Sequence, residues 1–173
     1  QPLRLIILYN ALIMKRIISI LATALCVLTA SAQIRIATPG TELILKADVG
    51  AEPQIQYFGE RLSDTDVANL QAAGVPNHNA YPAYGLWCAS EASLGVTHSD
   101  GNMSTVLRVE SVTQTDEPTA KVTRIKMKDT VYPFYVTLCY RAYQDVDMIE
   151  TWTEIENLEK KPVVLTRFDS GYL

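Results

Sequence analysis

The clearest signal in the chain is a two-residue alternation of apolar and polar side chains. Over Lys121 to Lys128, Thr123, Ile125 and Met127 fall on one side and Arg124, Lys126 and Lys128 on the other. That is the pattern of a strand with one face in a core and one in water. Phe134 to Tyr143 sets Phe134, Val136, Leu138, Tyr140 and Ala142 against Tyr135, Thr137, Cys139, Arg141 and Tyr143. Both faces are substantial, which predicts a central strand. Asp147 to Asn157 alternates Ile149, Thr151, Thr153 and Ile155 with Met148, Glu150, Trp152, Glu154 and Glu156. Leu138 and Ile155 are expected in the interior, each on the more apolar face of its strand. Met103 to Thr113 opposes Val106, Arg108 and Glu110 to Leu107, Val109 and Ser111. Shorter alternations run over Ile34–Ala37, Glu42–Val49 and Gln54–Phe58, and further strands are expected at Ala92–Thr97 and from Val163 to Phe168.

One segment has helical spacing. Ser63 to Ala73 carries Val67 and Leu70, with Ser63 as the cap and Asp66 three residues on, and Gly74-Val75-Pro76 ends it. Turn residues separate the strands at Pro39-Gly40, Gly50–Pro53 and Asn157–Pro162. Strand after strand with turns between and almost no helix predicts an all-β, antiparallel β-sandwich. A parallel sheet would need crossover helices that the sequence does not offer. Asn77 to Asn102 reads mostly as loop. Within it Tyr81 to Asn102 is dense in aromatics, glycines and small polar groups, and a loop-rich patch set against regular sheet is where a binding surface is expected.

The first 32 residues do not belong to that sandwich. Met14-Lys15-Arg16 is a basic start, Ile17 to Leu28 a short apolar run, and Ala30-Ser31-Ala32 a small-x-small site before Gln33. Together they read as a secretory signal peptide over 14–32, with 1–13 a non-native upstream extension. The expected mature protein is exported, periplasmic or secreted, begins at Gln33 and has no membrane association after cleavage. Loss of Arg4, Lys15 and Arg16 leaves 12 basic against 19 acidic residues, a net charge of −7. That argues against nucleic acid, whose binding rests on cations neutralising phosphates. Cys88 and Cys139 remain, either paired or as separate thiols. No CxxC or His-x-x-x-His spacing supports a metal site, and no cofactor is implied.

Several segments resemble, in order, the amino-terminal domain of the glycoside hydrolase family 36 α-galactosidases. They are Tyr57-Phe58-Gly59-Glu60-Arg61-Leu62; then Tyr81-Pro82-Ala83-Tyr84-Gly85 with Glu91-Ala92-Ser93-Leu94 and His98-Ser99-Asp100-Gly101-Asn102; then Asp147-Met148-Ile149-Glu150 through Ile155-Glu156-Asn157, Pro162-Val163-Val164-Leu165 and Phe168-Asp169-Ser170. The middle set is the most specific, and the resemblance covers residues 34–173. It implies a supersandwich-like domain, incomplete here at its C-terminal end, that precedes a (β/α)8 barrel holding two catalytic aspartates. Retaining glycoside hydrolysis needs two carboxylates about 5 Å apart across the scissile bond. No stretch of this chain matches the barrel motifs, so no catalytic residue is assigned. The resemblance also implies α-galactoside oligosaccharides as the substrates of the full-length enzyme, a homo-oligomer, and loops of this domain near a neighbour's active site. Substrate-proximal candidates are Trp87, to stack on a sugar face or pack on the sandwich; Asp100 and Asn102, to bind a hydroxyl or form an Asp-Gly-Asn turn; and Asp64, a substrate-facing acid or a solvated helix start. Glu91 and Asp100 are considered as a carboxylate pair. The alternative function is a free-standing carbohydrate-binding sandwich.

Overall fold

The strongest alternation builds the largest sheet. In the computed structural model, which describes residues 33–73, 78–85 and 91–172, β6 (Leu107–Asp116), β7 (Ala120–Asp129), β8 (Phe134–Tyr143) and β9 (Ile149–Asn157) form an antiparallel meander in sequence order. The leader expected at 14–32, the extension before it, Trp87 and Cys88 lie outside the described residues. Register follows burial: Met127 stands opposite Val136 and Val136 opposite Ile155, while Ile125 stands opposite Leu138. A one-residue slip would turn this whole set into water. Ile125, Met127, Phe134, Val136 and Leu138 are buried as expected. Ile155 is only half-buried, packed against the core rather than within it. It sits on β9, the edge of this sheet, where one side has no neighbouring strand to cover it.

β6 begins in the expected phase, with Leu107 and Val109 buried, but its register slips between Val109 and Ser111. Glu110 is the extra residue of a bulge, and Val112 rather than Ser111 packs against the core. The turn after β2 docks here. Gly50 N–H donates to Val109 O at 2.9 Å and Val109 N–H donates to Ala51 O at 2.9 Å, stitching one sheet to the other.

The second layer is the sheet β1 (Gln33–Ala37), β2 (Thr41–Lys46), β3 (Gln54–Glu60) and β4 (His78–Asn79). Ile34 pairs with Leu45 and Ile36 with Leu43, and these four side chains join the inner face of the meander in one core. The two packed antiparallel sheets make the expected sandwich. β2 is buried on both faces from Glu42 to Leu45. The Glu42 side chain, fully buried, takes an ion pair from Arg35 and a 3.1 Å bond from Leu62 N–H. Helix α1 (Asp64–Ala73) follows, capped as expected: Asp66 N–H donates to Ser63 Oγ at 3.2 Å, and the Ser63 hydroxyl donates to Asp66 at 2.6 Å. A third, two-stranded sheet pairs β5 (Leu94–Thr97) with β10 (Val164–Phe168), with Leu94 opposite Phe168. Every residue of β10 is exposed.

Candidate functional site

The stretch from Tyr81 to Asn102 is half scaffold and half surface. Tyr81 is buried, and its hydroxyl donates to Asp169 O at 2.9 Å. Burial pushes the phenol above its ordinary value. Ala83 bridges Leu94, and Tyr84 N–H donates to Leu94 O at 2.8 Å. Gly85 has φ +117°, and a Cβ there would lie 2.6 Å from Ser104 Cα. Only glycine lets the chain pass so close in that conformation. The result is an exposed Tyr84 ring, 58% accessible, held by a rigid backbone.

Tyr84 forms one wall of a groove of about 260 Å³ with Ala92, Gly95, Val96, Met103, Thr166 and Arg167. An aromatic ring, a thioether and a guanidinium around an apolar floor give the few polar anchors and apolar surface that suit a small ligand. Arg167 is not a free cation: it pairs with Glu91 and, at 3.2 Å, with Asp169. Met103 is half exposed. Tyr84 stood in a motif already singled out, so an exposed ring beside a glycine was a usable signal. Arg167 and Thr166 were not findable, because the pairing of β10 with β5 brings together segments far apart in sequence.

The loop after β5 carries a buried histidine cluster. His98 Nδ1 is 2.7 Å from Glu159 Oε1, and His98 Nε2 is 3.0 Å from Thr105 Oγ1. The imidazole stacks on Tyr132 with ring centres 3.8 Å apart. Burial alone would raise the Glu159 carboxyl, but hydrogen bonds from His98 and Ser99 outweigh it and hold the group below its ordinary value. The cluster ties the β5–β6 loop, the β7–β8 turn and the β9–β10 turn together.

Among the described residues, the sequence-derived candidates Asp64, Asp100 and Asn102 do not converge on the groove, and Trp87 lies outside those residues. Asp100 and Asn102 both meet Tyr132: its hydroxyl donates to Asp100 at 2.8 Å and accepts from Asn102 Nδ2 at 3.0 Å. Asn102 N–H also donates to Asp100 at 3.0 Å, and that bond first, then the one from Tyr132, lowers the Asp100 carboxyl. This network shares Tyr132 with the histidine cluster. Neither residue lines the groove. Asp64 sits at the start of α1 in the other sheet's connection, its carboxylate held by Arg35 at 2.6 Å. Glu91 is taken up by Arg167, and Asp100 by Tyr132 and Asn102. Among the described residues, no group of three or more His, Cys, Asp or Glu side chains is placed to hold a metal ion.

Residues 51–173 match the family model described as the glycosyl hydrolase family 36 N-terminal domain. Solved structures similar to this chain include the α-galactosidase AgaA of Geobacillus stearothermophilus in complex with raffinose. It has 19% identity and a TM-score of 0.69, over 81% of this chain and 24% of that one. An α-galactosidase from Lactobacillus brevis gives 16% identity and a TM-score of 0.69, over 83% of this chain and 24% of its own. The galactosidase domain of an α-galactosidase–sucrose kinase gives 19% identity and 0.68, over 79% and 24%. At these identities the likeness shows the fold. The chain spans about a quarter of the length of those structures. Among curated proteins, none matches in sequence.

Proposed function

Because the chain belongs to glycosyl hydrolase family 36, through its amino-terminal domain, we propose that it is the leading β-sandwich of an exported α-galactosidase. The observation that carries this is the family match over residues 51–173 beside solved α-galactosidases about four times as long. The longer protein would release terminal α-galactosyl residues from oligosaccharides. Raffinose and stachyose, the sugars held by two structures similar to this chain, indicate the substrate class. The sandwich would serve packing and oligomer contacts, and the groove beside Tyr84 would form part of the rim of a substrate site. Export rests on the leader pattern of residues 14–32.

Chemistry supports a non-catalytic role for this segment. Hydrolysis with retention needs one carboxylate free to attack and a second to protonate the leaving oxygen. The acids that meet the groove's Arg167 are tied instead: Glu91 and Asp169 both pair with it, and away from the groove Glu159 pairs with His98. The test is to assay residues 1–173 beside the protein encoded by the whole reading frame, using an aryl α-galactoside. Turnover is expected only in the longer protein. Turnover by residues 1–173 after removal of host enzyme overturns the fragment reading. Turnover by neither overturns the α-galactosidase reading and favours a free-standing sugar-binding sandwich, which the aromatic wall of the groove would then serve. Amino-terminal sequencing of exported material is expected to begin at Gln33; a start at Met14 rules out the leader.

A further inference from the structure

The outer face of the β6–β9 sheet is divided by charge. Register lines its residues up in rows. Lys128 stands beside Tyr135 and Tyr135 beside Glu156. The next row runs Lys126, Thr137, Glu154, and the next Arg124, Cys139, Trp152. β7 therefore carries a stripe of cations and β9 a stripe of carboxylates, with β8 between. At the usual strand spacing the stripes stand about 10 Å apart. That is too far for them to neutralise each other directly. Among the described residues, Arg124, Lys128, Glu154 and Glu156 have no ion-pair partner; of the lysines and arginines on β7's outer face only Lys126 has one, Glu110 at 3.3 Å.

The stripes are held in place by aromatic rings. Lys126 Nζ lies 4.5 Å and Lys128 Nζ 5.7 Å from the Tyr135 ring centre. Arg124 and Arg141 lie 6.0 Å and 5.1 Å from that of Trp152. Trp152 Nε1 donates to Glu154 at 3.1 Å. Rings under the cations and beside the acid limit the freedom of long side chains, so less entropy is lost when a partner fixes them.

We propose that this face binds the same face of a second copy of the chain, about a two-fold axis parallel to β8. A half-turn about that axis exchanges the two sides of the sheet. It lays Lys126 and Lys128 of one copy over Glu154 and Glu156 of the other, and Arg124 over Trp152, twice by symmetry. Sheets stack about 10 Å apart, a gap that facing Lys and Glu side chains span. A polyanion or an acidic partner would match β7 and clash with β9, and a basic partner the reverse. Only a partner with the same division of charge matches both. The three strands that would face each other cover about 500 Å² on each copy from strand spacing and length, in the range of weak, transient interfaces. Association of this chain by this face is accordingly weak and salt-sensitive. The inference deepens the oligomer-contact part of the function proposed above, but its test reads association and not hydrolysis, so either can fail alone.

The test is sedimentation over a concentration series at low and high salt. The native chain is expected to dimerise reversibly, less so at high salt. Glu154→Lys with Glu156→Lys makes the Lys126 and Lys128 rows wholly basic, and Lys126→Glu with Lys128→Glu makes the same two rows wholly acidic, with Arg124 and the Arg141–Glu150 pair unchanged. Each pair alone is expected to weaken dimerisation about a hundredfold or more. An equimolar mixture of the two is expected to associate again, as is one chain carrying all four changes, because the charges in those two rows have merely exchanged sides. These positions face outward, so thermal unfolding of the variants is expected to stay near native. A native chain that is monomeric throughout, reversals that leave association unchanged, or a mixture that fails to recover it would each overturn the proposal. The last two results would assign the face to the rest of a longer polypeptide or to an unrelated partner.

Discussion

Single residues fix the loop end of the sandwich. Gly85 holds φ +117° with its α-carbon against Ser104. Gly85→Ala is therefore expected to destabilise the chain by at least about 1–3 kcal/mol, read as a lower urea midpoint, because backbone strain alone costs that much before the clash. His98→Ala removes a ring stacked on Tyr132 and leaves Glu159 and Thr105 without their buried partner. A cost of about 3 kcal/mol is expected. That cost depends on pH. The folded Glu159 carboxyl lies below its ordinary value of 4.5, so its stabilising contribution is complete above that value and is lost as pH falls through the lowered folded one. Asp100, held low by Asn102 and Tyr132, acts in the same direction. The stability gap between native chain and His98→Ala is expected to be widest near neutral pH and to narrow in acid; a gap constant down to strong acid would remove Glu159 from the account. Of this site the sequence showed the motif and not its inside. His98 stood only as the first residue of the His98–Asn102 motif, because nothing in linear spacing reveals that Glu159 reaches back across 61 positions to meet it.

At the scale of elements, alternation was enough where one face meets a core and the other water. β7 from Thr123 to Lys128 keeps the expected phase, as does β8 apart from the buried Cys139, and the Ser63 cap starts α1 where the sequence placed it. Alternation fails where a strand's environment changes along its length. β6 loses its phase at Glu110, because Val109 turns its N–H and C=O to the Gly50–Ala51 turn, a partner remote in sequence. β2 hides Glu42 because Arg35 on the neighbouring strand neutralises it. Edge position is equally invisible in one strand's pattern, and this separates two residues that read alike. Leu138→Ala, in the interior of β8, is expected to cost about 2–5 kcal/mol. Ile155→Ala, half-buried on β9, is expected to cost clearly less, and equal denaturation midpoints for the two would contradict the edge placement of β9.

For the whole molecule, the two packed sheets and their shared core were legible, since both are built from neighbouring hairpins. The third sheet was not, because pairing between β5 and β10 depends on the complete fold. Its outer surface carries Val164, Leu165 and Phe168, with Phe168 63% exposed. Phe168→Glu is expected to change the stability of this chain by no more than about 0.5 kcal/mol. In the longer protein proposed above the same change is expected to cost several times more, as further polypeptide covers that strand; equal effects in both would mean that the surface stays open. The same pairing has a consequence in time. The meander joins strands through short turns, so each hairpin closes a small loop. Leu94 and Phe168 meet only after 74 residues of chain are brought together, and the entropy of closing that loop must be met before any ladder bond repays it. β10 is therefore the last strand to dock during folding and the first to leave. Its amides should exchange with deuterium well before those of β7 and β8, through openings that leave the main core intact.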